Sequence, residues 1–487
     1  MSSDPKSETV DAPGADSVTD KKSPAHKPAR QEAPATEKQS PGKESSPKAE
    51  RQSSGGTETR ETKEREGGGK GGRRRRGGPV RGRVRGKGCR RGGESNDRRK
   101  DNDNDEQEDR RAVTLTGPPV EVDGMLELAP KGFGFLRRPE KDFEQSREDV
   151  FLPPELVRKE GLRVGMWIHG IAQEGNRGPQ LTEVTSINGL KPAKARYLPY
   201  FEELKATNPV KRIPFETVPE RFTTRVIDMV APIGRGQRGL IVSPPRSGKT
   251  TLLLHLAEAV RDRYTENMHL MILLVDERPE EVTEFKRQVP EAEIYASSND
   301  MHAKNHCRLA ELCIERAKRL VESGQDVFLV LDSITRLARA YNSSMGGGKG
   351  RGYQSGGIVA GALEMPRRLF AAARRTKEAG SLTIIGTALV QTNSKADEAI
   401  FQEFKGTGNM ELVLDRKIAE SFIYPAVDIF KSGTRREELL LPEHMLQKIY
   451  LIRRGLSGHR PLEAMERLLF FLKKFPNNAQ MLLEIKG

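Results

Sequence analysis

Apolar side chains are spread unevenly along the chain, and that unevenness divides it before any motif is considered. Residues 1–112 hold hardly any aliphatic and no aromatic side chains. Such a segment buries too little apolar surface to offset its chain entropy, so a disordered low-complexity arm is expected there. Order is expected from about Val113. Val120–Leu128 alternates as a strand does, and Phe133 and Phe135, two residues apart, would share one strand face. Asp149–Leu152, Val164–Ala172 and Leu181–Ile187 are further strand-length stretches, and together these predict a small all-β barrel within 113–190. Residues 191–222 read as a Pro- and Lys-containing connector with scattered aromatics that packs on the next domain. From Thr223 the pattern changes to apolar runs such as Leu240–Val242, Leu270–Val275, Val327–Leu331 and Leu382–Val390, alternating with helical stretches. That predicts an α/β domain over 223–487.

Composition sharpens this division. Only 35% of the 487 residues are hydrophobic, which is low for a chain folded throughout. The formal charge of +14 is concentrated: Gly67–Lys100 carries 14 Lys/Arg against Glu94 and Asp97, leaving the remainder near neutral. Arg73–Arg76 and the Arg-Gly repeats around Arg81–Arg91 suit nonspecific RNA contact through counterion release. The six acidic residues of Asp101–Asp109 come directly after. The charged, Ser-rich start is unlike a signal peptide, and no apolar run is of membrane-spanning length, so a cytoplasmic protein without membrane contact is expected. Three cysteines (Cys89, Cys307, Cys313) give no disulfide framework. His302, His306 and Cys307 lie close together but lack a second ligand pair, and are expected to be ordinary helix residues.

The candidate chemistry begins at Gly239-Leu-Ile-Val-Ser243-Pro-Pro-Arg246-Ser247-Gly248-Lys249-Thr250-Thr251. A buried strand, a tight loop and an apolar helix are the context in which backbone amides cradle phosphate. Lys249 would then reach the β/γ-phosphates of ATP, with the Thr250 hydroxyl on Mg²⁺. The P-loop pattern asks for glycine where Ser243 stands, and Pro244-Pro245 are expected to set the turn instead. The preceding turn, Gly234-Arg235-Gly236-Gln237-Arg238-Gly239, looks suited to close backbone approach to a nucleotide. Glu277, at the end of the next apolar run, is expected to orient the attacking water, with Arg278 near the phosphates. Asp332 closes a third run as a carboxylate that holds Mg²⁺. In the smaller domain, Lys131-Gly132-Phe133-Gly134-Phe135-Leu136-Arg137 is a cold-shock-like surface: rings for stacking on single-stranded bases, glycines for access, and cations for phosphate. The glycine-rich loop at 343–357, with Lys349 and Arg351, and the loop at 391–395, with Lys395, suit a moving grip on a phosphate backbone.

These residues resemble the Rho family of bacterial transcription terminators, hexameric RNA-dependent ATPases and helicases, over roughly residues 120 to 485. The match is dense at Gly132–Arg137, Pro232–Gly239, Pro244–Thr250, Asp276–Thr283, Leu331–Asn342, Ser394–Glu398, Phe404–Leu412 and Ser432–Leu440. The resemblance implies a RecA-like P-loop ATPase domain preceded by an oligonucleotide-binding barrel, assembled as a homohexamer with RNA threaded through the ring. It implies single-stranded RNA, RNA polymerase and transcription elongation factors as partners, with ATP and Mg²⁺ bound. By the same resemblance, Arg435 would act as an arginine finger toward a neighbouring subunit and Tyr424 would stack on adenine. Phe133, Phe135, Arg137 and Phe151 would form the primary RNA site, and Lys349, Arg351 and Lys395 would belong to the pore loops. The chain departs from the family at several points. Arg246 replaces a common lysine, Phe422 stands where a basic residue is usual, no late barrel aromatic occurs around Arg177-Gly178, and the 343–357 loop is long. Two readings are open: a translocating RNA motor, or a passive RNA binder whose ATPase is regulatory or vestigial. The complete set Lys249, Thr250, Glu277, Asp332 and Arg435 favours the motor. A DNA recombinase or rotary ATPase relative would share the core but have no use for Gly132–Phe135.

Overall fold

The computed structural model describes residues 115–176, 178–346, 352 and 355–485. The basic arm, Arg177, Lys349 and Arg351 lie outside the described residues. The first unit is a closed barrel of β1 (Thr116–Leu128), β2 (Gly134–Arg137), β3 (Val150–Leu152), β4 (Trp167–Gly175) and β5 (Gly178–Ile187), joined in the order β1-β2-β3-β5-β4. Closure leaves no open sheet edge. β1 starts earlier than its apolar alternation indicates, because Thr116–Met125 pairs with β4 while Met125–Leu128 pairs with β2. Leu126, Leu136, Val150, Leu152, Ile168, Leu181 and Ile187 fill the interior. A helix unforeseen in the sequence, Pro154–Glu160, joins β3 to β4, with proline in its first turn and Gly161 closing it at φ 63°.

The connector is part of the next fold rather than a tether. Phe201 and Phe215 are fully buried, and a two-residue strand, β6 (Ala206–Thr207), pairs with β11 (Arg374–Thr376). The large sheet otherwise consists of β7 (Arg238–Ser243), β8 (His269–Glu277), β9 (Glu293–Ser298), β10 (Asp326–Asp332), β12 (Ser381–Leu389), β13 (Met410–Val413) and β14 (Gly433–Thr434). Its order is β14-β13-β7-β12-β10-β8-β9; β14 is an antiparallel edge strand, and the six from β13 to β9 run parallel.

Both faces of the parallel strands are covered, which is why they read as unbroken apolar runs. In β8, Leu270, Ile272 and Leu274 enter one core, and Met271, Leu273 and Val275 enter the other. Helices Phe222–Val230 and Lys249–Tyr264 pack on the first face, together with the C-terminal helices Glu443–Leu456, Pro461–Lys473 and Asn478–Glu484. Helices Ala303–Glu322 and Ile334–Met345 cover the second. The expectation of an α/β domain preceded by an all-β barrel holds. No helix among the described residues is long and apolar enough to cross a membrane. The parallel run aligns the C-terminal ends of β7, β12, β10 and β8 along one rim, and the candidate site lies there.

Candidate functional site

β7 delivers Ser243 to the rim, and the chain turns through Pro244–Gly248 into helix Lys249–Tyr264. The left-handed residues of the turn are Arg246 (φ 61°) and Gly248 (φ 83°), so position 243 needs no glycine. Ser243 is 1% exposed; its Oγ lies 2.9 Å from Ser247 Oγ, and Ser247 Oγ donates to the Pro244 carbonyl at 2.8 Å. The serine thus braces the loop from beneath. Gly248 meets a second requirement, since a Cβ there would stand 3.3 Å from two ring carbons of Tyr424. Tyr424 therefore lies against the loop, half-exposed, at the flank of the helix N-terminus. Unpaired amides and the positive end of the helix dipole make that terminus an anion site.

Lys249 draws two carboxylates together. Its Nζ is 3.1 Å from Glu277 Oε1 and 2.5 Å from Asp332 Oδ2, while Thr387 Oγ1 donates to Asp332 Oδ1 at 2.7 Å. Simple alternation would send Glu277 to the face of Met271, Leu273 and Val275. A β-bulge prevents this: Asp276, at φ 55°, interrupts the register between Val275 and Glu277 and turns Glu277 toward the helix that carries Lys249. Arg336 secures the arrangement by donating to the Asp276 carbonyl, with Nη2 2.8 Å from Glu277 Oε2. Among the described residues, Glu277 Oε2 is buried and held by the Arg336 charge without a well-directed hydrogen bond.

Burial, with the Asp332 carboxylate beside it, pushes Glu277 above the usual glutamate range despite Lys249. Burial alone would lower the Lys249 ammonium, but Asp332 and Glu277 outweigh it and hold the lysine charged. The shifts do not mirror each other because Glu277, 1% exposed, also faces a second carboxylate. Thr250 Oγ1 lies 3.3 Å from Glu281 Oε2. A hydroxyl and carboxylates on one rim are hard oxygen donors, and they fit a magnesium ion. Arg278 caps helix Pro279–Gln288, exposed on this rim and 3.8 Å from Glu281. Arg246 is exposed on the loop, and Thr251 comes after Thr250 in the helix.

The glycine-rich turn expected to approach the nucleotide is elsewhere. Gly234, Arg235, Gly236, Gln237 and Arg238 lie at the N-terminal end of β7, separated from the loop by the strand's length, about 3.3 Å per residue. Arg235 pairs with Asp326, the first residue of β10, and Gln237 Nε2 donates to Asn409 Oδ1 at 2.7 Å. A Cβ on Gly236 would come within 2.2 Å of the Arg375 nitrogen, and one on Gly239 within 2.5 Å of Ile385 Cδ1. These residues let backbones pack closely inside the sheet. Arg435 is exposed at this same end, just beyond β14, and its backbone nitrogen donates to the Asn409 carbonyl at 2.9 Å. It is remote from its own P-loop.

On the barrel, Phe133, Phe135 and Phe151 form a half-buried triangle with ring centroids 5.6–5.8 Å apart. Phe135 and Phe151 face each other across β2 and β3, whereas Phe133 precedes β2 instead of sharing it. Arg137, expected as an open cation for phosphate, is 4% exposed and bound to Glu127 and Asp149, with its guanidinium 5.1 Å from the Phe135 ring centroid. It supports the ring from below. Lys395 is exposed as the first residue of helix Lys395–Lys405, capped by Ser394. The 355–357 turn touches it: a Cβ on Gly356 would lie 2.9 Å from the Lys395 carbonyl oxygen, so the two loops meet. Sequence reasoning gave no role to Arg336, Glu281 or the Asp276 bulge. Only Arg336 left a signal, standing four residues after Asp332 on an evident helix.

A family model for the ATP synthase alpha/beta family, nucleotide-binding domain, matches residues 223–434, and one for the Rho termination factor, RNA-binding domain, matches 122–193. Transcription termination factor Rho of Aquifex aeolicus (strain VF5) is 47% identical over 369 residues, covering 74% of this chain and 84% of that protein. The protein of the same description from Cereibacter sphaeroides is 47% identical over 372 residues, covering 75% and 87%. Among solved structures, a prototypical ATPase from the type III secretion system of pathogenic bacteria aligns with 64% of this chain and 91% of its own, at 21% identity and a TM-score of 0.46.

Proposed function

The chain belongs to the Rho family of transcription termination factors, and from that premise we propose that it is a ring-forming, RNA-dependent ATPase and 5′→3′ helicase. It binds nascent single-stranded RNA and releases it from RNA polymerase. The convergence of Lys249, Glu277 and Asp332 at the end of one parallel sheet carries this reading. A passive RNA binder has no use for it.

In the proposed reaction the loop amides and Lys249 bind the β/γ-phosphates, and Tyr424, already against Gly248, flanks the adenine. Thr250 and Asp332 would hold Mg²⁺, which when bound neutralises charge on the phosphate oxygens. When phosphate takes Lys249, Glu277 loses one of its two cations and keeps Arg336. Its carboxylate is then the acceptor for the attacking water, held in direction by Arg336. Arg435 serves the site of the neighbouring subunit, since its own loop is at the opposite end of β7. RNA stacks on Phe133, Phe135 and Phe151, and Lys395 with the 343–357 loop grips the backbone in the ring centre.

ATP hydrolysis measured with and without a cytidine-rich RNA, in wild type and Glu277→Gln, tests the reading. RNA is expected to stimulate the wild type, and the substitution to slow turnover by about 10²–10⁴-fold, the usual worth of a positioned base. Unstimulated hydrolysis, or an unaffected variant, would sink the motor.

A further inference from the structure

The base platform is wired to the ATPase domain through a carboxylate that belongs to neither candidate site. Glu127 lies directly across from Phe135 in the β1–β2 pairing, and Phe135 lies directly across from Phe151 in β2–β3. Directly paired residues share a face, so Glu127, Phe135 and Phe151 form one row across the barrel. Arg137, two residues beyond Phe135, closes on the same row: its Nε donates to Glu127 Oε2 at 2.5 Å.

The other side of Glu127 is held by the ATPase domain. Arg308, on helix Ala303–Glu322, reaches it in bidentate fashion, with Nε 2.6 Å from Oε1 and Nη2 2.6 Å from Oε2. Arg308 Nη2 also donates to the Phe143 carbonyl at 2.9 Å. One helical turn onward, Glu311 accepts from the Tyr341 hydroxyl at 2.5 Å, on the helix whose Arg336 stands beside Glu277.

We propose that Glu127 is a positioning residue that couples base stacking on the aromatic platform to the ATPase domain by dividing its charge between Arg137 and Arg308. The proposal rests on the reading of Phe133, Phe135 and Phe151 as an RNA platform. A base that stacks on Phe135 acts on the Arg137 guanidinium through that ring, whose centroid is 5.1 Å away, and a shift of Arg137 changes how the Glu127 carboxylate divides between Arg137 and Arg308. Other bridges hold the barrel in place without touching the platform. Arg163 Nη2 pairs with Glu322 at 2.8 Å, Arg316 Nη1 donates to Asn188 Oδ1 at 2.7 Å, and Phe143 stacks on Tyr295 at 4.4 Å. Removing Arg308 therefore cuts the coupling and one contact to the Phe143 carbonyl, and leaves the Arg163–Glu322 and Arg316–Asn188 bridges.

The test is a binding linkage on the full chain, using a short labelled cytidine-rich RNA with and without a nonhydrolysable ATP analogue. In the wild type the analogue changes RNA affinity by some factor. That factor is expected to be about fivefold or more, the low end of ordinary coupling between sites, and to fall close to one in Arg308→Gln while nucleotide-free RNA affinity stays within about twofold. Arg308→Lys recovers part of the factor, and Arg163→Met, which breaks a docking bridge, keeps it. An Arg308→Gln protein with the full factor overturns the proposal, as does equal loss in Arg163→Met or a wild type without linkage. RNA that fails to bind, or that binds Phe135→Ala as tightly, overturns the platform reading itself and this proposal with it.

Discussion

Glu277 shows how surroundings would fit a single residue for the role proposed for it. Its carboxyl is buried beside a second carboxylate, so it takes up a proton more readily than an ordinary glutamate. A base works only when ionised, and its raised pKa places the loss of activity at a correspondingly higher pH. The acid limb of ATP turnover is therefore expected above the ordinary glutamate value of 4.5, with activity falling as pH drops through it. Rates across a pH series at subsaturating nucleotide, where kcat/KM reports the free enzyme, would show this; a limb at or below the ordinary value would contradict it. Ser243 teaches the complementary lesson. A residue that breaks a motif on paper does no harm where its backbone is extended and its hydroxyl ties the loop to itself.

At the scale of elements, the apolar runs made the parallel strands legible, and the Gly-Lys-Thr of the loop located their working end. The bulge in β8 was not legible. Aspartate tolerates a left-handed backbone better than most residues, but Asp276-Glu277-Arg278-Pro279 does not say that it takes one here, and without it Glu277 faces the wrong layer. Asp276→Val should therefore cost about 1–2 kcal/mol of local strain, while Asp276→Gly is accommodated. ATP turnover is expected to fall in the valine variant far more than its melting temperature, with the glycine variant near wild type. A fully active valine variant would remove the bulge from the explanation. The Gly234–Gly239 turn misled for the opposite reason: glycine signals a close approach without saying to what, and here the neighbours are Arg375 and Ile385. Arg137 was misread because its partners, Glu127 and Asp149, come from the strand before and from the turn that enters the strand after.

Across the whole molecule, one helix organises the relation between the two folded parts. Ala303–Glu322 carries Arg308, Arg316 and Glu322 toward the barrel, and Glu311 toward the helix that comes after Asp332. No local pattern in the sequence distinguishes those polar positions from an ordinary solvated face; only the barrel's placement gives them partners. The same separation of roles appears at the sheet's other border, where β14 leaves Arg435 exposed beyond reach of its own phosphate loop. Its consequence is genetic as much as chemical. A chain with Lys249→Ala still lends an intact arginine, and a chain with Arg435→Ala still offers an intact loop, so two inactive proteins mixed before assembly should restore ATP turnover that neither has alone. Turnover that stays absent across every mixing ratio would mean that each chain works only for itself. If it returns, defects at these two positions complement each other, whereas two defects in one chain never do.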